Sequence, residues 1–409
     1  MPGKEARMTD PTRVHVEGPV APYARGFCAE LTAQCYTLLS AANQVRVMAH
    51  LSRWLRGRGI DLQHLTPARV EQFLRARRRA GYTAWLSVRG LRTLLGYLRR
   101  LGVVPEPPPA VARTALDRLV ERFGNYLRRE RGLSPGTVHW RQVVARRFLA
   151  VYAHRDRLEL ERLTAAGVAQ FVLRESRTCS VGHAKGLVTA LRSLLGFLFL
   201  EGRTATPLAA AAPAVAGWRV TGLPRALEPG QVIRLLRGCD RRTAVGRRDY
   251  AILILLARLG LRAGEVTGLQ LDDIDWRQGE VIIRGKGQQQ ERLPLPHDVG
   301  EALAGYLRHA RPRVASRHVF LRSRAPQGAL SRAGVTAVVQ RASDRAGLHR
   351  IGAHRLRHTA ATQMLQHGAS LQQVAQVLRH RSLLTTAIYA KVDRCALRSL
   401  AQPWPGGER

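Results

Sequence analysis

The stretch AHRLRHTAATQML, residues 353–365, brings His354, Arg357 and His358 within about one helical turn. Residues three and four apart share a helix face, so two imidazoles and a guanidinium stand side by side there. Three answers fit such a group. Histidines at i and i+4 have the spacing of a helical metal-ligand pair. A guanidinium beside imidazoles also suits a phosphate. A solvated basic face needs no ligand at all. The rest of the chain decides among them.

The chain has 409 residues, of which 45% are apolar. That length suggests roughly two or three domains with ordinary cores. Lys and Arg number 66 against 29 Asp and Glu, a formal net charge of +37. A field of this sign favours a polyanionic partner, nucleic acid first. The lysines are only Lys4, Lys185, Lys286 and Lys391, so arginine carries nearly all the basicity. Codon bias explains Arg in place of Lys, but not the excess of basic over acidic side chains. Cys28, Cys35, Cys179, Cys239 and Cys395 are odd in number and widely spaced, and none forms C-x-x-C. This fits a reducing cytosol better than a disulfide framework. MPGKEARMTDP has no apolar core and does not read as a signal peptide. The longest fully apolar run, YAILILLA at 250–257, is far shorter than the ~20 residues of a membrane span. The expectation is a soluble cytoplasmic protein without a membrane partner.

Two stretches punctuate the chain. VVPEPPPAVA (103–112) reads as a short stiff linker, and the Ala/Pro/Gly-rich segment 205–230 as a longer one. The first two blocks resemble each other: LQHLTPARVEQFL (62–74) matches LERLTAAGVAQFV (160–172), and LRTLLGYL (91–98) matches LRSLLGFL (191–198). Leu65/Leu163, Val70/Val168, Phe73/Phe171, Leu94/Leu194, Leu95/Leu195 and Tyr97/Phe197 recur with helical spacing and read as core. This is a duplication of one all-helical unit of about four helices. Thr66 and Pro67 read as an N-cap followed by proline at the first helical position. The third block is helical by period, with a helix opening in LRAGEVTGLQLDDIDW and ending near Leu271. GEVIIRGKGQQQERLPLP then reads as two short strands around a GKG turn. Helices follow at about 297–311, 331–347, 354–367, 370–378 and 383–393. The expected fold is mainly α, with a small antiparallel β-sheet in the C-terminal domain and tandem all-helical domains before it.

Four short motifs stand in order in the third block: LGLRAGEVTGLQLDDID (259–275), RGKGQQQERLPLP (284–296), HRLRHTAAT (354–362) and VLRHRSLLTTAIYAKV (377–392). Their order and spacing resemble the tyrosine recombinase, or phage-integrase-type, family. The duplication and linkers read above divide the chain, and the resemblance names the parts: a tail at 1–25 and, as a copy of the core-binding unit where the family usually has an arm-type domain or nothing, a SAM-like core-binding-type repeat at 26–102. A linker at 103–115 and a core-binding domain at 116–203 follow. A second linker (204–226), a catalytic domain (227–401) and a tail (402–409) complete the chain. Carried over residue by residue, it makes Arg262 and Arg357 the arginine pair, Lys286 the turn lysine, His354 and His380 the two histidines, and Tyr389 the nucleophile. Glu265 matches the acidic residue that follows the first arginine.

The chemistry asks for these types. Attack on a phosphodiester passes through a five-coordinate phosphorus with added negative charge, which two guanidiniums hold by charge-assisted hydrogen bonds. A free tyrosine hydroxyl, pKa about 10, is a poor nucleophile at neutral pH. It needs a base or a field favouring phenolate, and His354 is the candidate base. Lys286 would protonate the departing 5′-oxygen, and His380 would hydrogen-bond the phosphate from the other side. The product is a 3′-phosphotyrosine and a free 5′-hydroxyl. One ester replaces another, so neither ATP nor a metal or other cofactor is expected. The phosphate answer is favoured over the metal answer because His354 and His358 lack the Glu of H-E-x-x-H. His358 then reads as a helix-packing residue.

Two positions depart from the family pattern. Arg379 stands where a glycine usually precedes the second histidine, which implies either a different turn or one more phosphate contact. Gly264 stands where serine is frequent, and reads as harmless. The resemblance implies double-stranded DNA as partner and a homo- or hetero-tetramer on it, with sibling recombinases as candidate subunits, in a bacterial, nucleoid-associated setting. Residues 395–404 are expected to dock on a neighbouring subunit. The leading function is integration and excision of a mobile element, the longer member of a recombinase trio being one form. The alternatives are a resolvase of chromosome or plasmid dimers, a catalytically silent DNA-binding partner, and a type IB topoisomerase.

Overall fold

The structure, a computed structural model, describes residues 10–107, 114–154, 156–216, 226–285, 290–379, 386, 388 and 389. Two compact units form: residues 107–221, and residues 1–106 grouped with 222–409.

The first helical block contains α1 (Ala24–Ala33), α2 (Leu38–Arg56), α3 (Pro67–Arg79) and α4 (Val88–Arg100). Thr66 caps α3, its hydroxyl accepting from the Arg69 amide at 3.4 Å, and Pro67 fills the first helical position. Proline is suited there because its missing N–H would have no helical partner anyway. The unit 107–221 repeats the plan with α5 (Ala115–Arg129), α6 (Pro135–Leu149), α7 (Ala165–Ser176) and α8 (Val181–Leu200). It adds a short antiparallel pair, β1 (Ala153–His154) and β2 (Arg157–Leu158). A 3-10 turn precedes the third helix in each block, at Leu62–His64 and Leu160–Arg162. Every apolar pair that recurs in the sequence is buried. Tyr97 packs on Phe27 and Phe197 on Phe123, with ring centroids 5.3 Å apart in both blocks. Phe27 and Phe123 lie outside the matching stretches, so the likeness extends through the first helix of each copy. Helix α8 is long and apolar enough to cross a membrane by composition. Here its Leu187, Leu191, Leu194, Leu195 and Leu198 face the core of the block. The start of the expected second linker also packs there: Ala212 is fully buried, and its carbonyl accepts from Arg192 Nη2 at 2.8 Å.

The third block runs α9 (Pro229–Arg237), α10 (Ala244–Arg258), α11 (Ala263–Gly268), β3 (Ile274–Asp275), β4 (Glu280–Arg284), β5 (Gln290–Pro294), α12 (His297–His309), α13 (Arg332–Arg345), α14 (Ala353–Gln366) and α15 (Leu371–Val377). The apolar run in α10 is its central element, buried from Ala251 to Ala257 and packed by α12, α13 and α14. The strands pair antiparallel in the order β3-β4-β5, with Val281 opposite Leu293, both buried.

Two local expectations are corrected. Helix α11 ends at Gly268 rather than near Leu271, because the backbone turns away to pair elsewhere. Leu269 C=O accepts from the Val319 amide at 2.9 Å, and the Leu271 amide donates to Arg317 C=O at 2.8 Å. The sheet also gains a third strand, β3, too short at Ile274–Asp275 to show an alternation. The GKG turn's Lys286, with His380 and nearly all of the helix expected at 383–393, lies outside the described residues.

Candidate active site

The local fold around Arg262 begins with a glycine. Gly260 has φ +57°, and a Cβ there would meet Leu378 Cδ2 at 2.6 Å. Only glycine combines that conformation with so close an approach. The chain then turns into α11 with Arg262 at its N-cap. Glu265 reaches back to it: Oε2 accepts the Arg262 amide at 2.8 Å and Oε1 accepts Nη1 at 2.7 Å. Glu265 is thus a capping-box carboxylate and a side-chain clamp at once. Burial pushes this carboxyl up. Arg379 and then Arg262 outweigh it, holding the group below its usual value.

Arg357, on α14, is fully buried. Its Nη1 donates to Gly260 C=O at 2.6 Å and its Nη2 to Leu378 C=O. The fork therefore ties the segment before α11 to the end of α15. Burial, and after it the nearby Arg262, lowers its pKa to about 10. It remains a cation at neutral pH.

His354 and His358 lie on one face of α14 with ring centroids 4.3 Å apart, edge to face at 70°. His354 is exposed and His358 half-buried. The Nδ1 of His358 is 2.7 Å from the hydroxyl of Tyr389. Burial, then His354, Arg357 and Arg355, lowers the His358 pKa to about 4, so the ring is neutral at pH 7. His354 is shifted the same way by burial, Arg357 and Arg262. Tyr389 is buried among Ala361, Leu365, Val374 and Leu378. Burial raises its hydroxyl pKa, with Arg357 pulling the other way.

Arg379 has φ +56°, the left-handed region where glycine is at ease. The turn is therefore the one a glycine would make, and the side chain points inward. Its Nη2 donates to Glu265 Oε2 at 2.9 Å and its Nη1 to Val377 C=O at 2.7 Å.

Arg262, Glu265, His354, Arg357 and Tyr389 thus come together around α11, α14 and α15. Lys286 and His380 are outside the described residues. Sequence reasoning placed His358 in packing, yet this imidazole, not that of His354, meets the tyrosine. The available signal was the helical spacing itself, which puts both rings on one face. Among the described residues, no group of three His, Cys, Asp or Glu side chains could hold a metal ion.

Residues 225–394 match the model of the phage integrase family. The chain is 43% identical to "Putative integrase/recombinase y4rA" of Sinorhizobium fredii, over 95% of this chain and 96% of that protein. It is 33% identical to "Tyrosine recombinase XerD" of Mycobacterium tuberculosis, over 70% of this chain and 96% of that one. Among solved structures, the XerH site-specific recombinase bound to a palindromic difH substrate shares the fold. Its TM-score is 0.55 at 20% identity, covering 72% of this chain and 98% of that one.

Proposed function

The chain belongs to the phage integrase family of tyrosine recombinases and is a site-specific recombinase, and from that premise we propose that Tyr389 cuts and rejoins DNA in the pocket built by Arg262, His354, Arg357 and His358. The observation that carries this reading is the buried Tyr389 hydroxyl, 2.7 Å from a neutral imidazole and close enough to the Arg357 guanidinium to feel its charge.

In the proposed step the tyrosine oxygen bonds to phosphorus, the bond to the deoxyribose 5′-oxygen breaks, and the 3′ end stays attached to the enzyme. With the phenol protonated, its O–H donates to a bare Nδ1 on His358, which aims the oxygen and accepts its hydrogen. The 2.7 Å contact favours His358 over His354 for this task. His354, exposed and near Arg357 and Arg262, is left for contact with the scissile phosphate. The arginines take the charge that develops on the non-bridging oxygens. Lys286 is the proposed donor to the leaving 5′-oxygen and His380 a further phosphate ligand, both on the strength of their motifs. Reversal by another strand's 5′-hydroxyl restores the phosphodiester, so no net bond energy is lost.

We assign the protein to a mobile element rather than to chromosome-dimer resolution. The Sinorhizobium relative matches along nearly the whole chain, whereas the Mycobacterium XerD leaves close to a third of it without a counterpart. The partner is double-stranded DNA, gripped by the core-binding and catalytic domains at 116–203 and 227–401. Assembly is a tetramer on DNA, open to sibling recombinases, in the bacterial cytoplasm at the nucleoid.

Covalent trapping tests this. Wild type and Tyr389→Phe are incubated with nicked duplexes spanning the ends of the element, then run on denaturing gels. A DNA adduct in wild type that vanishes in the variant is expected. Salt-sensitive binding with no adduct on any end sequence overturns the nucleophile and leaves a silent DNA-binding partner.

A further inference from the structure

Resting on the reading above, we propose that Arg379 is a positioning residue for strand cleavage: it balances the charge of Glu265 so that this carboxylate, shared with Arg262, does not cancel the positive field Arg262 presents to the phosphate.

The backbone raises the question. At φ +56° a side chain is disfavoured and glycine is not. What arginine has and glycine lacks at this turn is a guanidinium, and that guanidinium is spent inside the protein. Arg379 and Glu265 have side chains only 4% exposed, and they meet at 2.9 Å. Arg262 holds the other carboxylate oxygen and remains 44% exposed. The three groups thus form a row with its buried end at Arg379 and its open end at Arg262.

Electrostatics gives the row a purpose. A buried carboxylate bonded to Arg262 alone would cancel most of the charge an incoming phosphate sees, and in a poorly screened site that loss is large. A second guanidinium on the same carboxylate leaves the row with one net positive charge, presented at its open end. The turn is also held from outside, because Leu378 C=O accepts from Arg357. The turn thus has an anchor besides the Arg379–Val377 bond, and the charge of Arg379 is the property to test.

The test compares wild type, R379G, R379K, E265Q and the double variant R379G/E265Q. Two readouts are taken: covalent adduct formation on the nicked duplex, and the rise in melting temperature caused by inorganic phosphate. Glycine suits the turn, so R379G should fold. It is expected to form adduct about tenfold more slowly and to lose much of its phosphate protection. R379K, which keeps the charge, should retain most of both. In R379G/E265Q the carboxylate is gone as well, so both readouts should recover. E265Q alone strands a buried Arg379 and should melt below the double variant. A defect in R379G that E265Q leaves uncorrected, R379K as impaired as R379G, or an R379G indistinguishable from wild type overturns the proposal. If wild type itself forms no adduct, the recombinase chemistry assigned to Tyr389 fails, and the phosphate-protection series still decides the role of Arg379.

Discussion

The imidazole of His358 and the hydroxyl of Tyr389 meet at 2.7 Å across thirty-one residues of chain. The contact joins α14 to the segment that follows α15, inside a small apolar cluster of Ala361, Leu365, Val374 and Leu378. A tyrosine held this way is aimed, but it is not open to solvent. In the proposed reaction it must exchange this partner for phosphorus.

Replacing His358 with alanine leaves a buried hydroxyl without that partner, a change that costs about 1–3 kcal/mol. The expected result is a lower melting temperature and adduct formation slowed by about a hundredfold or more. A rate equal to wild type on the nicked duplex would show that the imidazole only packs.

The same residue sets a pH dependence. His358 is shifted from an ordinary value of 6.5 down to about 4. Between those values the unfolded chain takes up a proton that the folded ring refuses, so protons favour unfolding. Stability from this group is complete above pH 6.5 and falls as the pH drops toward 4. His354, shifted the same way, adds to the slope. Melting temperature recorded across that window should fall less steeply in His358→Asn than in wild type. Parallel curves would contradict the assignment.

Gly260→Ala places a Cβ 2.6 Å from Leu378 Cδ2 on a backbone with φ +57°. Overpacking and a left-handed alanine together should destabilise by about 2–4 kcal/mol. The Gly260 carbonyl also positions Arg357, so adduct formation should drop with stability. A urea titration and the trapping gel read the two effects; an unchanged midpoint would refute the first.

Arg357→Lys tests the fork. Arginine reaches Gly260 C=O and Leu378 C=O with separate nitrogens, and a single ammonium cannot reproduce that geometry. Adduct formation should fall by about a hundredfold or more even where DNA binding persists. Full activity in this variant would mean that the charge matters and the fork does not.

Deleting residues 395–409, which lie beyond the described residues, should weaken cooperative assembly on paired sites more than cleavage of a single site. Native gels and suicide substrates separate the two. Recombination at the wild-type level would refute a docking role for the tail.

Much of this was legible in the chain. Helical spacing exposed the buried pairs of both N-terminal blocks, because a core position must recur on one face. It did not reach Phe27 and Phe123, whose surroundings have diverged while the ring contacts remained. The four motifs brought the arginines, Glu265 and Tyr389 into view. Which imidazole faces Tyr389 was hidden, since i and i+4 share a face and only the place of Tyr389 in the fold distinguishes them. The inward turn of Arg379 was hidden for another reason: a positive φ is visible in a sequence only when glycine announces it. The end of α11 was missed because the Leu269 carbonyl and the Leu271 amide just past it pair with Val319 and Arg317, some fifty positions later.

The Arg357 fork also bears on how the protein is made. Its two acceptors lie on opposite sides of it in the chain, at Gly260 and Leu378. A polypeptide leaving the ribosome displays Arg262, His354, Arg357 and His358 before Leu378, and Tyr389 comes later still. Synthesis that stalls short of that point leaves Arg357 with one of its two anchors and lacks the tyrosine that we propose as nucleophile, so an unfinished copy is expected to be unable to cut DNA.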